Sequence, residues 1–340
     1  MHTRVRLVVL LLLALLSLSM TANVIAQESD ELLIYNIWAR ATAPADMPMA
    51  EATPEAMASG TMGGMNMARS DVSAVYMTLE NPGAAPVRLK AAAAAVAGLV
   101  EIHETKLEGD VMRMRPVEGG IEIPAGGIVE LKPGGLHIML MELKTALVPG
   151  TALSLTLTFD LLDATGASTG ETRDLIIGAP ILTEPPVSTP FVLMLPWARP
   201  TTMETSGGMH GGAMATQESA GGDMPMRTGV SAIYARLINR GEQPDRLVVA
   251  STAAAGLVEI HESKLEGDVM QMRPIEGGLE IPAGGAVELK PGGLHIMLME
   301  LQRELVPGDA IAVTLIFESG AELVVGVPVY DGGMSAMPMN

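Results

Sequence analysis

Two tandem all-β domains, each a sandwich or barrel, are what the amino-acid sequence predicts, and three observations carry the prediction. Residues 98–143 and 256–301 align without gaps and differ only at Thr105/Ser263, Arg113/Gln271, Val117/Ile275, Ile121/Leu279 and Ile128/Ala286, so 41 of 46 positions are identical. A repeat of that quality makes the chain two copies of one unit, in keeping with 340 residues at roughly 150 per domain. Short β-branched and leucine-rich runs, such as 153–159, 311–317 and 322–327, are punctuated by Pro-Gly, Gly-Gly and Asn-Pro-Gly, which is the pattern of short antiparallel strands. No capped segment of helical period is evident after the N-terminus. The alanines at 91–95 have a poorer helix-forming counterpart in Ser251-Thr252-Ala253-Ala254-Ala255, and both are expected to form a loop or a single turn.

In chain order, residues 1–26 are expected to be an export signal. His2, Arg4 and Arg6 make a basic start, 7–18 is apolar, and Val24-Ile25-Ala26 precedes a cleavage point at Gln27. The apolar run is shorter than the roughly 18 residues of a spanning helix; an uncleaved anchor is the alternative. No cysteine follows it, which argues against a lipid-modified N-terminus and for a soluble periplasmic or extracellular product. The first domain is expected over 27–182 and the second over 191–330, joined by the proline-rich linker 183–190, where prolines cannot support a central strand. Trp38-Ala39-Arg40 is matched by Trp197-Ala198-Arg199, and Ser73-Ala74-Val75-Tyr76 by Ser231-Ala232-Ile233-Tyr234.

Between those two motifs each copy carries a Met-rich stretch. The first, 43–69, contains Met47, Met49, Met57, Met62, Met65 and Met67; the second, 201–227, contains Met203, Met209, His210, Met214, Met224 and Met226. Met334, Met337 and Met339 close the chain in a tail at 331–340. By composition these stretches read as disordered, and a plain linker and an arm that collects a metal ion through its thioethers both remain open for the two loops.

A formal charge of −18 argues against phosphate backbones and anionic membranes as partners and for cations. The chain has Cys 0 and Met 26, so its only soft metal ligands are thioethers. Four of the six histidines lie in the repeated block: His103, His137, His261 and His295. Residues two apart on a strand share a face, so His137 and Met139 present an imidazole beside a thioether, and Met112 and Met114 lie on one face. A set of two neutral imidazoles and two thioethers disfavours zinc, calcium and magnesium and favours Cu(I). Outside the cytoplasm thioethers also avoid the disulfide that paired thiols risk. One buried His or Met on a strand is more often core than ligand; four that recur in a second copy reverse that expectation.

At these residues the sequence resembles the PCu(A)C family of periplasmic copper chaperones. The family pattern is a His, ten residues, a Met, twenty-one residues, then His-X-Met. His103, Met114, His137 and Met139 follow it, as do His261, Met272, His295 and Met297, except that twenty-two residues separate the Met from the second His in both copies. A glycine of Gly119-Gly120 and Gly277-Gly278 is the expected extra residue, in a turn that can absorb it. The resemblance covers nearly all of both domains. It implies a cupredoxin-like Greek-key β-sandwich, one Cu(I) per domain, and delivery to the dinuclear copper site of cytochrome c oxidase subunit II, alongside a Sco-type copper protein. The tandem arrangement and the interior Met-rich stretches depart from the family.

Met112, Met141, Met270 and Met299 fall outside the ligand pattern and are expected to pack, in the core or behind the ligands. Glu101, Glu104, Glu259 and Glu262 are expected to be solvated acids. No Cys-His pair, Gly-X-Ser-X-Gly elbow, phosphate loop or His-Glu-X-X-His is present, and a blue-copper centre needs a thiolate, so no enzyme is expected. Two alternatives to a chaperone are a copper-sequestering protein without a client and a metal-free surface β-sandwich that binds other proteins.

Overall fold

The structure, a computed structural model, describes residues 31–42, 71–108, 111–201, 229–266 and 269–330, with the backbone of 61–62 and 65–66. Residues 1–26, read above as an export signal, the tail at 331–340 and nearly all of both Met-rich stretches lie outside the described residues. The first copy contributes β1 (Leu33–Arg40), β2 (Thr61–Met62), β3 (Met65–Asn66), β4 (Val72–Asn81), β5 (Val87–Ala93), β6 (Ala97–Glu108), β7 (Val111–Pro116), β8 (Ile121–Ile123), β9 (Gly127–Leu131), β10 (Leu136–Leu143), β11 (Ala152–Leu162) and β12 (Ser168–Leu182). The second contributes β13 (Phe191–Ala198), β14 (Ser231–Asn239), β15 (Asp245–Ser251), β16 (Ala255–Glu266), β17 (Val269–Pro274), β18 (Leu279–Ile281), β19 (Ala286–Leu289), β20 (Leu294–Leu301), β21 (Ala310–Phe317) and β22 (Glu322–Pro328). Among the described residues there is no helix, as the all-β expectation requires.

Each copy is a two-sheet sandwich. In the first, one layer runs β1-β4-β10-β6-β7 with β9 also on β4, the other runs β12-β11-β5-β8, and the two are joined where the end of β1 pairs in parallel with β12. The second repeats this as β13-β14-β20-β16-β17 with β19 on β14, over β22-β21-β15-β18. Period-two alternation builds the cores: along β11, Leu153, Leu155, Leu157 and Phe159 are buried while Ser154, Thr156 and Thr158 are less so. They join Val75, Met77, Ile102, Ile138 and Leu140 from the facing sheet in one apolar cluster, and a separate cluster fills the second copy.

The alanine run differs from expectation. Ala91, Ala92 and Ala93 finish β5 and pair with Thr158, Leu157 and Thr156 of β11; pairing with a neighbour outweighs alanine's weak strand preference, and the turn is confined to 95–96.

Residues 183–190 hold no strand, but they are not the sole connection between the copies. Gly178 of β12 pairs with Gly326 of β22, and a Cβ on either glycine would strike the other's backbone. Arg240 grips Glu80 with nitrogen–oxygen distances of 2.8 and 3.1 Å and lies 5.2 Å over the Tyr35 ring. The Tyr330 hydroxyl donates to the Ile176 carbonyl at 2.6 Å.

Candidate metal centre

A bulge in β1 decides what the outer face of the first sheet carries. The register between β1 and β4 shifts between Tyr35 and Trp38, and Asn36 takes a φ of 53° there. An extra residue inverts the alternation that follows, so Ile34 and Ala39 both enter the core while Trp38 joins Ala74 and Tyr76 in a separate outer cluster. The second copy repeats the device at Leu195, with a φ of 46°.

From Trp38 a row of rings crosses four strands. Trp38 lies opposite Tyr76 with ring centroids 4.7 Å apart, Tyr76 sits 6.2 Å from the His137 ring, and His137 lies opposite His103 at 5.9 Å with planes tilted by 71°. The Arg40 guanidinium donates to the Tyr76 hydroxyl at 3.0 Å and caps the row. Ile102 and Ile138, the sequence neighbours of the two histidines, are buried in the core, so the imidazoles point to the opposite face. The second copy reproduces the row through Trp197, Tyr234, His295 and His261, with 5.8 Å between the two imidazoles.

Both imidazoles are buried, and each has one nitrogen engaged and one without a partner. His137 Nδ1 donates to the Gly135 carbonyl at 3.0 Å, and His103 Nε2 donates to the Glu101 carboxylate at 2.9 Å. The partners accept only, so the other nitrogens, His137 Nε2 and His103 Nδ1, carry lone pairs. Both are buried with no hydrogen-bond partner, as are His295 Nε2 and His261 Nδ1. Two buried acceptors left empty in facing rings, in each of two copies, need an explanation. Burial holds the His137 imidazole below its ordinary pKa; the bond to the Gly135 carbonyl opposes this, and repulsion of an added proton by the neighbouring His103 and Arg40 reinforces it, with burial, Gly293, His261 and Arg199 acting likewise on His295. A depressed pKa keeps the ring neutral, the form a metal needs.

The thioethers fall on the same face. Met139 lies two residues from His137 and opposite Glu101; Met114 lies opposite Thr105, diagonal to His103, at a spacing of roughly 7 Å between Cβ atoms that long side chains bridge. In the second copy Met297 lies opposite Glu259 and Met272 opposite Ser263. Met139 and Met297 are half-buried, whereas Met114 and Met272 are 51% and 53% exposed. Among the described residues no group of three or more His, Cys, Asp or Glu is placed to hold a metal, so a centre here needs sulfur to complete it.

Two expectations change. Met112 and Met270, expected to pack, are exposed, because β7 and β17 end their sheets and all six residues of each are exposed; Met141 and Met299 are half-buried. Glu101 and Glu259, expected to be solvated acids, hold imidazoles at 2.9 and 2.8 Å. The signal for them was the Glu-X-His spacing, which puts carboxylate and ring on one strand face. Glu104 and Glu262 pair with Lys106 and Lys264.

A family model described as "Putative lipoprotein LpqE-like" matches residues 32–166 and again 196–329. "Putative lipoprotein Lxx21020" of Leifsonia xyli subsp. xyli is 38% identical over 104 residues, 31% of this chain and 63% of that protein. "Uncharacterized protein RP573" of Rickettsia prowazekii is 28% identical over 134 residues, 39% of this chain and 63% of that protein. The chain thus spans under two thirds of the length of either relative. Among solved structures, the copper-bound PCuAC domain from PmoF2 is 20% identical with a TM-score of 0.31, covering 43% of this chain and 97% of that one. The Cu(I)-bound solution structure of DR1885 from Deinococcus radiodurans is 27% identical with a TM-score of 0.27, covering 41% of this chain and 78% of that one.

Proposed function

The chain belongs to the LpqE-like family, in two tandem copies, and from that premise we propose that it is an extracytoplasmic Cu(I) chaperone with one site per domain. His103, Met114, His137 and Met139 hold one ion, and His261, Met272, His295 and Met297 the other. The observation that carries the proposal is the pair of facing, buried imidazoles in each copy whose inward nitrogens have no hydrogen-bond partner while their outward nitrogens are anchored. A metal-free packing role would leave those acceptors desolvated without compensation. The donor set, two neutral imidazoles and two thioethers, suits a soft monovalent ion.

Exposure favours a chaperone over a sequestering protein. Met114 and Met272 are each about half exposed on edge strands, so an acceptor's ligand can displace a thioether before the buried histidines release the ion. The client proposed from the PCu(A)C resemblance is the dinuclear copper site of cytochrome c oxidase subunit II, with a Sco-type copper protein as companion.

Anaerobic Cu(I) titration against a competing chelator tests the metal assignment. Tight uptake of two ions per chain is expected, and no uptake would leave only a metal-free binding module. Transfer of the bound Cu(I) to an apo subunit II fragment is expected of a chaperone; retention in the presence of that fragment would make the protein a copper store.

A further inference from the structure

We propose that Glu101 and Glu259 are positioning residues that tune the two sites through the outward nitrogen of His103 and His261. The inference rests on the copper assignment above and deepens it. The geometry is the same in both copies: carboxylate to Nε2 at 2.9 Å in the first and 2.8 Å in the second, with Nδ1 of the same ring buried and unpartnered. Strand geometry imposes the contact, because Glu101 and His103 are two apart on β6 and project from one face. His137 is anchored differently, by a neutral carbonyl, so only one imidazole of each pair is backed by a charge.

Three consequences follow for a soft cation. The hydrogen bond locks the ring with Nδ1 bare and aimed away from Glu101. A carboxylate accepting from the far nitrogen raises the electron density, and so the donor strength, of the near one. Four neutral ligands around Cu(I) also leave a net single positive charge, which the carboxylate balances at one imidazole's remove. Glu101 is 39% exposed at its side chain, so solvent weakens this term without removing it. The assignment makes Glu101 a neighbour of the metal and not a ligand.

The test uses the full chain with the second site disabled by His295→Ala and Met297→Leu, so that Cu(I) affinity reports the first site alone. Glu101→Ala is expected to weaken Cu(I) binding by about 10–100-fold, the range for partners of metal-bound histidines. Glu101→Gln keeps an acceptor without charge and is expected to fall between Ala and the parent. Glu104→Ala, on the same strand, is expected to leave affinity unchanged. Nitrogen-15 NMR of the metal-free protein supplies a readout independent of copper: a slowly exchanging His103 Nε2–H in the parent and in Glu101→Gln, lost in Glu101→Ala. Affinity within twofold of the parent in Glu101→Ala overturns the inference while leaving the copper site standing. An oxygen scatterer in the X-ray absorption spectrum of the loaded parent would make Glu101 a ligand and overturn it as well. Absence of Cu(I) uptake by the unsubstituted protein overturns the functional proposal, and this inference with it.

Discussion

His103 and His137 stand directly opposite each other on neighbouring antiparallel strands, their rings 5.9 Å apart, and each turns a bare nitrogen into the buried space while its other nitrogen is tied to the protein. The anchors differ, one a carboxylate and one a backbone carbonyl, so opposite ring positions are freed: Nδ1 on His103 and Nε2 on His137. His261 and His295 repeat the pair at 5.8 Å. The relationship depends on sheet register, because a slip of one residue would send one imidazole into the core.

Removing a ligand from one copy is expected to remove one ion and leave the other. In His137→Ala or Met114→Leu the tight Cu(I) stoichiometry should drop from two to one per chain, with the remaining affinity that of the second site. The two apolar cores are separate, so the change stays local. Chelator competition measures it, and loss of both ions would mean that the sites are one unit.

Lowering the pH is expected to weaken both copper binding and the metal-free fold. Burial holds the His137 and His295 pKa values below the ordinary value of 6.5. The unfolded chain therefore binds protons at higher pH than the native one, and stability is constant above the unfolded value and declines as pH falls through about 6.5 towards the folded pKa. Cu(I) competes with the same protons and delays the decline. Chemical denaturation and chelator competition from pH 5 to 8 check both, and a stability and a copper affinity that both stay flat over that range would count against buried, metal-binding histidines.

Much of this was legible in the residues, for physical reasons. A near-identical repeat and period-two runs broken by Pro-Gly and Gly-Gly specify two strand-built units, and the His and Met spacings identify which side chains to watch. Trp38 was not legible: simple alternation puts it on the face of Ile34, and only the bulge at Asn36 turns it outward. Glu101 was visible at its spacing yet indistinguishable from a solvated acid until the ring beside it was located. Met112 looked like packing because an apolar side chain on an edge strand carries the same local signal as one in the core. Pairing of Gly178 with Gly326 joins two glycines far apart in sequence, and no local pattern announces it.

Phe317→Ala is expected to destabilise the second domain by about 3–5 kcal/mol. Phe317 is 1% exposed and stacks on Phe191 at 3.6 Å with rings within 5° of parallel, a contact for which the first copy has Leu32 in place of Phe191. Urea unfolding should show a transition shifted for the second domain, with Cu(I) uptake by His103 and its partners retained.

Gly326→Val is expected to uncouple the domains while sparing both sites. The two glycines approach so closely that even a single Cβ meets backbone, so valine must push β22 from β12 and strain the Tyr330 to Ile176 bond. Arg240, which pairs with Glu80 and lies over the Tyr35 ring, is partly exposed, and its ion pair is worth about 1 kcal/mol or less, so it adds only weakly to the strand pairing. Both residues are specific to their copy: Arg240 stands where the first copy has Pro82, and Glu80 where the second has Ile238, so the repeat does not reproduce the clamp at the equivalent positions. Small-angle scattering of Gly326→Val should show a larger radius of gyration, and Gly326→Val combined with Arg240→Ala a larger one still. Cu(I) stoichiometry should stay at two, since neither glycine lies on a strand that carries a ligand. An unchanged scattering profile in the double variant would show that the strand pairing does not set the arrangement of the two domains.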